Sequence, residues 1–218
     1  MLLGCPSRVP DGALPEVVFT DLPSDVDTLH DIADTAYRTT RELDGLVRAR
    51  NALLKAEKKR PNNFDAAWRL ARNNAVLARI DSARGLGWSE ECHQAAAQAA
   101  KLQPTRVEGP LYLAMCKALL AQHKPTEADP LTRAVIELAN KANAIDKTYA
   151  RGEARRLLGA IYMYAPAWPS GVGDLDEAER FYGTLLGITG QRHAGARIYF
   201  KAGAVTLQVV DVTGWKPI

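Results

Sequence analysis

The side chains best suited to chemistry are scattered along this sequence. None of the four histidines, His30, His93, His123 and His193, has a second histidine or cysteine at i+3 or i+4. That spacing would put two donors on one helix face, so a zinc site is not expected. Gly171-Val172-Gly173 lacks the Gly-Lys-Ser/Thr that completes a phosphate-cradling loop, and the charge of Asp174 just after it would repel an anion at that helix start. No Gly-x-Ser-x-Gly elbow occurs. His93 adjoins Cys92, but neighbours on a helix point about 100° apart, which is poor geometry for activating that thiol. The carboxylate pairs Glu90-Glu91 and Asp174 with Glu177 fall at expected helix starts, where the helix dipole accounts for them. The pattern predicts no enzyme, no metal and no cofactor.

One short motif remains. Leu2-Leu3-Gly4-Cys5 has the form read by bacterial lipoprotein signal peptidase, with a small residue before the cysteine to be acylated. Only four residues precede Cys5, and they lack the charged start and apolar run of a secretory signal. Either the start lies upstream or the match is chance. Residues 6–23 contain Pro6, Pro10, Pro15 and Pro23 without helical periodicity, so 1–24 reads as an N-terminal tether.

These features need a scaffold, and composition narrows it. The 218 residues carry 28 Lys and Arg against 25 Asp and Glu, a net charge of +3 spread along the chain, too weak a field for a nucleic-acid binder. The basic cluster Lys55, Lys58, Lys59 and Arg60 closes an expected helix, where cations suit the carbonyl end. No run of about 18 uncharged apolar residues could span a bilayer. Thirty-five alanines against fifteen aromatics favour close-packed helices, and the fold class is read as all-α.

The sequence repeats itself. Leu70-Ala71, Ala75 and Leu77-Ala78 recur as Leu113-Ala114, Ala118 and Leu120-Ala121, each 43 residues on. The same offset carries Ala56 to Ala99 to Ala142, and Pro61 to Pro104. A third copy matches at 44, Leu157 and Ala165 answering Leu113 and Ala121. Each unit reads as helix, turn, helix: first helices at 26–40, 65–81, 109–122 and 152–165, second helices at 42–59, 89–102, 130–145 and 174–188. Ser89 is expected as an N-cap, and Asp174 with Glu177 as a capping box. Four such pairs would stack across 25–189. The tail, 190–218, is expected to cap the stack, with a helix over 193–210 favoured over a strand at 205–210.

Small residues at fixed steps on paired helices, followed by proline, resemble the tetratricopeptide repeat, although that repeat takes 34 residues rather than 43. The array is therefore expected as a tetratricopeptide-like, right-handed superhelical stack. A sharper resemblance lies in Ala165-Pro166-Ala167-Trp168-Pro169 and in Gly173-Asp174-Leu175-Asp176-Glu177-Ala178. Ala-Pro-x-Trp-Pro after a helix ending in aromatics, then Gly-Asp-x-x-Glu-Ala opening the next, is similar to the T-component family of tripartite ATP-independent periplasmic (TRAP) transporters. That resemblance implies a periplasmic lipoprotein anchored to the membrane through Cys5. It also implies self-association to a homo-oligomer, an apolar internal cleft, and partnership with a periplasmic solute-binding protein.

Two candidate surfaces follow. Turns within the pairs should share one rim, exposing Trp88, Trp168 and Pro169 to a partner, unless the rings fold back over their own helices. Tyr112, Met115, Tyr162, Met163 and Tyr164, with Trp168, form a candidate lining for a small hydrophobic or amphipathic ligand, or else plain core. If Cys5 carries lipid, Cys92 and Cys116 remain as an even pair, placed twelve residues either side of Pro104 at one height of a helical hairpin. They are read as a disulfide or as free buried thiols. The functional alternatives are an accessory binding component of solute uptake and a scaffold that grips a protein or peptide without any small ligand.

Overall fold

In the computed structural model, residues 12–40, 42–164, 171–193, 197–202 and 205–210 are described. Eight α-helices occupy most of them: α1 (Val26–Thr39), α2 (Leu43–Lys59), α3 (Phe64–Ile80), α4 (Gly85–Leu102), α5 (Glu108–His123), α6 (Ala128–Ile145), α7 (Tyr149–Tyr164) and α8 (Leu175–Leu186). Strands β1 (Gln191–His193), β2 (Arg197–Ala202) and β3 (Val205–Val210) follow.

The 43-residue period is visible in the backbone. Helices α2, α4 and α6 end at Lys59, Leu102 and Ile145, each three residues beyond Ala56, Ala99 and Ala142, and these alanines are fully buried. A methyl side chain at that point lets the neighbouring helix approach closely. The turns repeat too: short 3-10 turns at Ser82–Arg84 and Pro125–Glu127 lead into α4 and α6.

The chain divides into two compact units, Met1–Leu102 and Gln103–Ile218. In the first, α1 packs on α2, α2 on α3 and α3 on α4, with α1 also touching α3. Val26 and Leu29 of α1, Ala52 and Ala56 of α2 and Ala66 of α3 make one apolar cluster of this unit. In the second, α5–α6, α6–α7 and α7–α8 repeat the pattern around Ala114, Val135, Ala139, Leu158 and Phe181.

Local signals explain most boundaries. Asp25 caps α1 by accepting from the Thr28 N–H, and Asn63 caps α3 through the Asp65 and Ala66 N–H groups. Asp174 caps α8 through the N–H groups of Asp176 and Glu177. The expected capping box is half present, because Glu177 pairs with Arg180 while the Asp174 N–H donates to the Tyr162 carbonyl. Gly187, in the left-handed conformation at φ 68°, ends α8. Ser89 does not cap α4: the helix opens one turn earlier, at Gly85, and the buried Ser89 hydroxyl donates to the Gly85 carbonyl. Ala150, Arg151 and Gly152 form a left-handed turn at the start of α7, with Arg156 donating to the carbonyls of Ala150 and Arg151.

The tail departs from expectation. Residues 191–210 form a three-stranded antiparallel sheet in the order β1-β2-β3, with Tyr199 opposite both Gln191 and Gln208. In β2, Ile198 and Phe200 alternate inward and pack on Met163 of α7 and Ala178 of α8. A helix would have split that pair around its circumference. The segment still caps the α7–α8 pair, with strands in place of the helix.

Residues 12–22 also differ from a free tether. They run extended along α2 of the first unit, held by side chains of that helix.

Candidate functional site

A connected group of polar and aromatic side chains lies between α1 and α3 in the first unit. His30, Asp34 and Tyr37 recur at steps of four and three on α1, and Asp65, Trp68, Arg69 and Arg72 do so on α3, so each set shares one helix face. Asp34 bridges both arginines: Arg69 Nε lies 3.1 Å from Oδ2, and Arg72 Nη2 pairs with Oδ1. Asp65 accepts from Arg69 Nη1 at 2.9 Å and from the Trp68 indole at 3.2 Å. The Arg69 guanidinium stacks 4.3 Å from the Trp68 ring centre, and Arg72 lies 4.1 Å from that of Tyr37 and 4.9 Å from that of Trp68. Such cation–π contacts hold the planar guanidinium groups in place. Arg72 Nε is buried without a hydrogen-bond partner.

This arrangement shifts the acids and the imidazole. Burial would raise the Asp34 carboxyl, but the hydrogen bond and charge of Arg72, joined by Arg69, hold it below its ordinary value. At Asp65 burial is likewise outweighed, by the Trp68 and Arg69 hydrogen bonds. His30 is lowered, first by burial and then by the Arg69 charge, against the opposing pull of Asp65, Asp27 and Asp34. Sequence reasoning missed this group because it sought metal ligands and exposed tryptophans. The signal was the three-and-four spacing of opposite charges and aromatics on two successive helices.

The expected site residues fall elsewhere. Trp88 is 0% exposed, and its indole N–H donates to Asp81 Oδ2 at 2.9 Å. It is a plug of the α3–α4 turn and not an exposed contact, because the carboxylate satisfies its one polar atom inside the unit. Tyr112 and Met115 are buried on α5. Tyr162 stacks on Phe181 with ring centres 5.7 Å apart, and Met163 packs on Ala178, so both serve the α7–α8 core. Trp168, Pro169, Cys5 and the Tyr164 side chain lie outside the described residues. Cys92 and Cys116 are both buried and both disulfide-bonded.

Two hollows are outlined by described residues, and neither is lined by Tyr112 or Tyr162. One, about 490 Å³, is bounded by Asp176, Arg180 and Thr184 of α8 and by Gly187 and Gly190 beyond it. The other, about 270 Å³, lies between residues 18–22 and α2. Among the described residues no three His, Cys, Asp or Glu side chains gather as a metal site, and no helix is long and apolar enough to cross a membrane.

Paired helices repeating every 43 residues define a tetratricopeptide-like helical array. Among solved structures, the chain is similar to a thermophilic tetratricopeptide-repeat protein of Thermus thermophilus. The two are 22% identical, the match covers 76% of this chain and 74% of the other, and the TM-score is 0.58. The likeness is one of fold. No family model matches the chain, and no curated protein matches it.

Proposed function

We propose that this chain is a non-enzymatic interaction scaffold, an accessory component of TRAP-type solute uptake that docks a periplasmic solute-binding protein. What supports the scaffold reading is the tetratricopeptide-like repetition of helix pairs, a geometry suited to holding rows of side chains for a partner. The TRAP reading rests on the resemblance of residues 165–178 described above. The docking surface is proposed at the α1–α3 face, where the half-buried Tyr37 and the edges of Arg69 and Arg72 are pre-ordered by Asp34 above the buried Trp68, and Tyr and Arg are residue types that dominate binding energy. Lipid attachment at Cys5 would hold the scaffold at a membrane. The disulfide-bonded state of Cys92 and Cys116 suits an oxidising compartment such as the periplasm.

Native mass spectrometry of the protein isolated from its own cells tests this. The scaffold reading expects a complex with a second polypeptide of solute-binding-protein size, and no retained small molecule. A retained lipid or carboxylate with no second polypeptide would support the hydrophobic-carrier reading instead.

A further inference from the structure

One amide joins His30 to the start of α3. Asn63 Oδ1 accepts from the backbone N–H groups of Asp65 at 3.0 Å and Ala66 at 3.3 Å, which caps α3 and leaves the amide nitrogen 3.5 Å from His30 Nε2 on α1. At that length the contact is weak; what it fixes is which end of the amide faces the ring. A neutral imidazole can offer Nε2 as an acceptor to the amide, whereas an imidazolium offers a second donor, which the amide nitrogen cannot receive. Protonation therefore sets two claims on one oxygen. Asn63 Oδ1 either caps α3 or turns to the ring.

The turn that Asn63 caps holds the α1–α3 face in order. Asp65 lies in it, and its carboxylate accepts from the Trp68 indole at 3.2 Å and from Arg69 Nη1 at 2.9 Å, while its backbone carbonyl accepts from the same Arg69 nitrogen at 3.1 Å. Arg69 and Arg72 share Asp34, and Arg72 stacks 4.1 Å from the centre of the Tyr37 ring. Direct contacts thus run from His30 through Asn63 and Asp65 to Arg69, Arg72 and Tyr37. Charge follows the same route. The groups that act on His30 are Asp27 and Asp34 of α1 and Asp65 and Arg69 of α3, while Arg60, just past α2, acts on Asp25 at the head of α1. An imidazolium here attracts the Asp65 carboxylate and repels the Arg69 guanidinium, so it loosens the pair that orders Arg69.

We infer that His30 is a pH-sensitive latch on the α1–α3 face. Neutral, it leaves Asn63 to cap α3 and the face in its docking arrangement. Protonated, it takes the Asn63 oxygen, uncaps the first turn of α3 and draws Asp65 away from Trp68 and Arg69, so docking weakens in acid. That consequence for binding rests on the docking surface proposed above; the motion itself does not.

Amide exchange and ring titration of the full chain, followed by NMR between about pH 7.5 and about pH 5, test the latch. As the His30 ring titrates, the protection of the Ala66 amide should fall at least about fivefold, the worth of a lost cap, and the Trp68 indole N–H should lose protection with the same midpoint. His30→Gln should abolish both changes. Asn63→Ser keeps a capping oxygen but has no amide to turn, so His30 should still titrate while Ala66 stays protected. Constant Ala66 protection through the His30 titration overturns the latch, as does the same loss in His30→Gln or in Asn63→Ser. An equal loss at core amides such as Leu53 would mean general loosening and overturn it too. None of these readings needs a partner, so failure of the latch is told apart from failure of the docking surface, which shows only in capture of a partner.

Discussion

The indole N–H of Trp88 donates to the Asp81 carboxylate at 2.9 Å across the turn joining α3 to α4. Asp81 also ends α3, its N–H donating to the Leu77 carbonyl, and meets Arg84 at 3.4 Å. One carboxylate therefore ties the helix end, the turn and the ring together. Trp88→Phe keeps most of the packing and deletes the donor. It should lower unfolding free energy by about 1–3 kcal/mol, read as a lower urea midpoint with an unchanged slope. An unchanged midpoint would mean that water replaces the indole.

His30 predicts a pH dependence. The Asn63 side-chain carbonyl is engaged by the N–H groups of Asp65 and Ala66, which turns its amide nitrogen toward His30 Nε2 at 3.5 Å. That ring nitrogen must then accept, so the neutral imidazole is favoured, in agreement with its lowered pKa. A group depressed in the folded state contributes stability above its unfolded value, near 6.5, and loses it as pH falls through the folded value. The urea midpoint should fall between about pH 7.5 and about pH 5.5, before the carboxylates titrate. His30→Gln should flatten that slope, and an equal slope in the variant would remove His30 as its source.

Cys92 and Cys116 are disulfide-bonded, which predicts the thiol count. Iodoacetamide applied to the unreduced protein unfolded in urea should label neither residue, and should label both after reduction. Labelling before reduction, in protein taken from its native compartment, would contradict both the bond and the oxidising location.

Much of the helical array was legible because its signal is local and repeated. Ala56, Ala99 and Ala142 had to be small for the helices to meet, and their common spacing, with Pro61 and Pro104 just beyond, placed the helix ends at Lys59, Leu102 and Ile145. Asp174 as a cap was legible for the same reason. The tail was not: Ile198 and Phe200 are buried by residues of α7 and α8 distant in sequence, and short strands carry little intrinsic preference. Trp88 looked exposed because glycines flank it, while the carboxylate that accepts its hydrogen bond stands seven residues earlier on the far side of a turn. Residues 12–22 were illegible because what α2 grips there is chiefly backbone carbonyl, which every residue has. The α1–α3 face was readable in its spacing, but solvated charge combs on helices look alike until two of them face each other.

The scaffold reading is tested most directly by a photocrosslinker in place of Tyr37, beside Arg72, with a matched probe at the exposed Arg133 of α6 as control. Irradiation in the native cell should give one discrete protein adduct from position 37, identified by mass spectrometry as a periplasmic solute-binding protein, and little or none from position 133. No adduct at 37, or the same adducts from both positions, would contradict it.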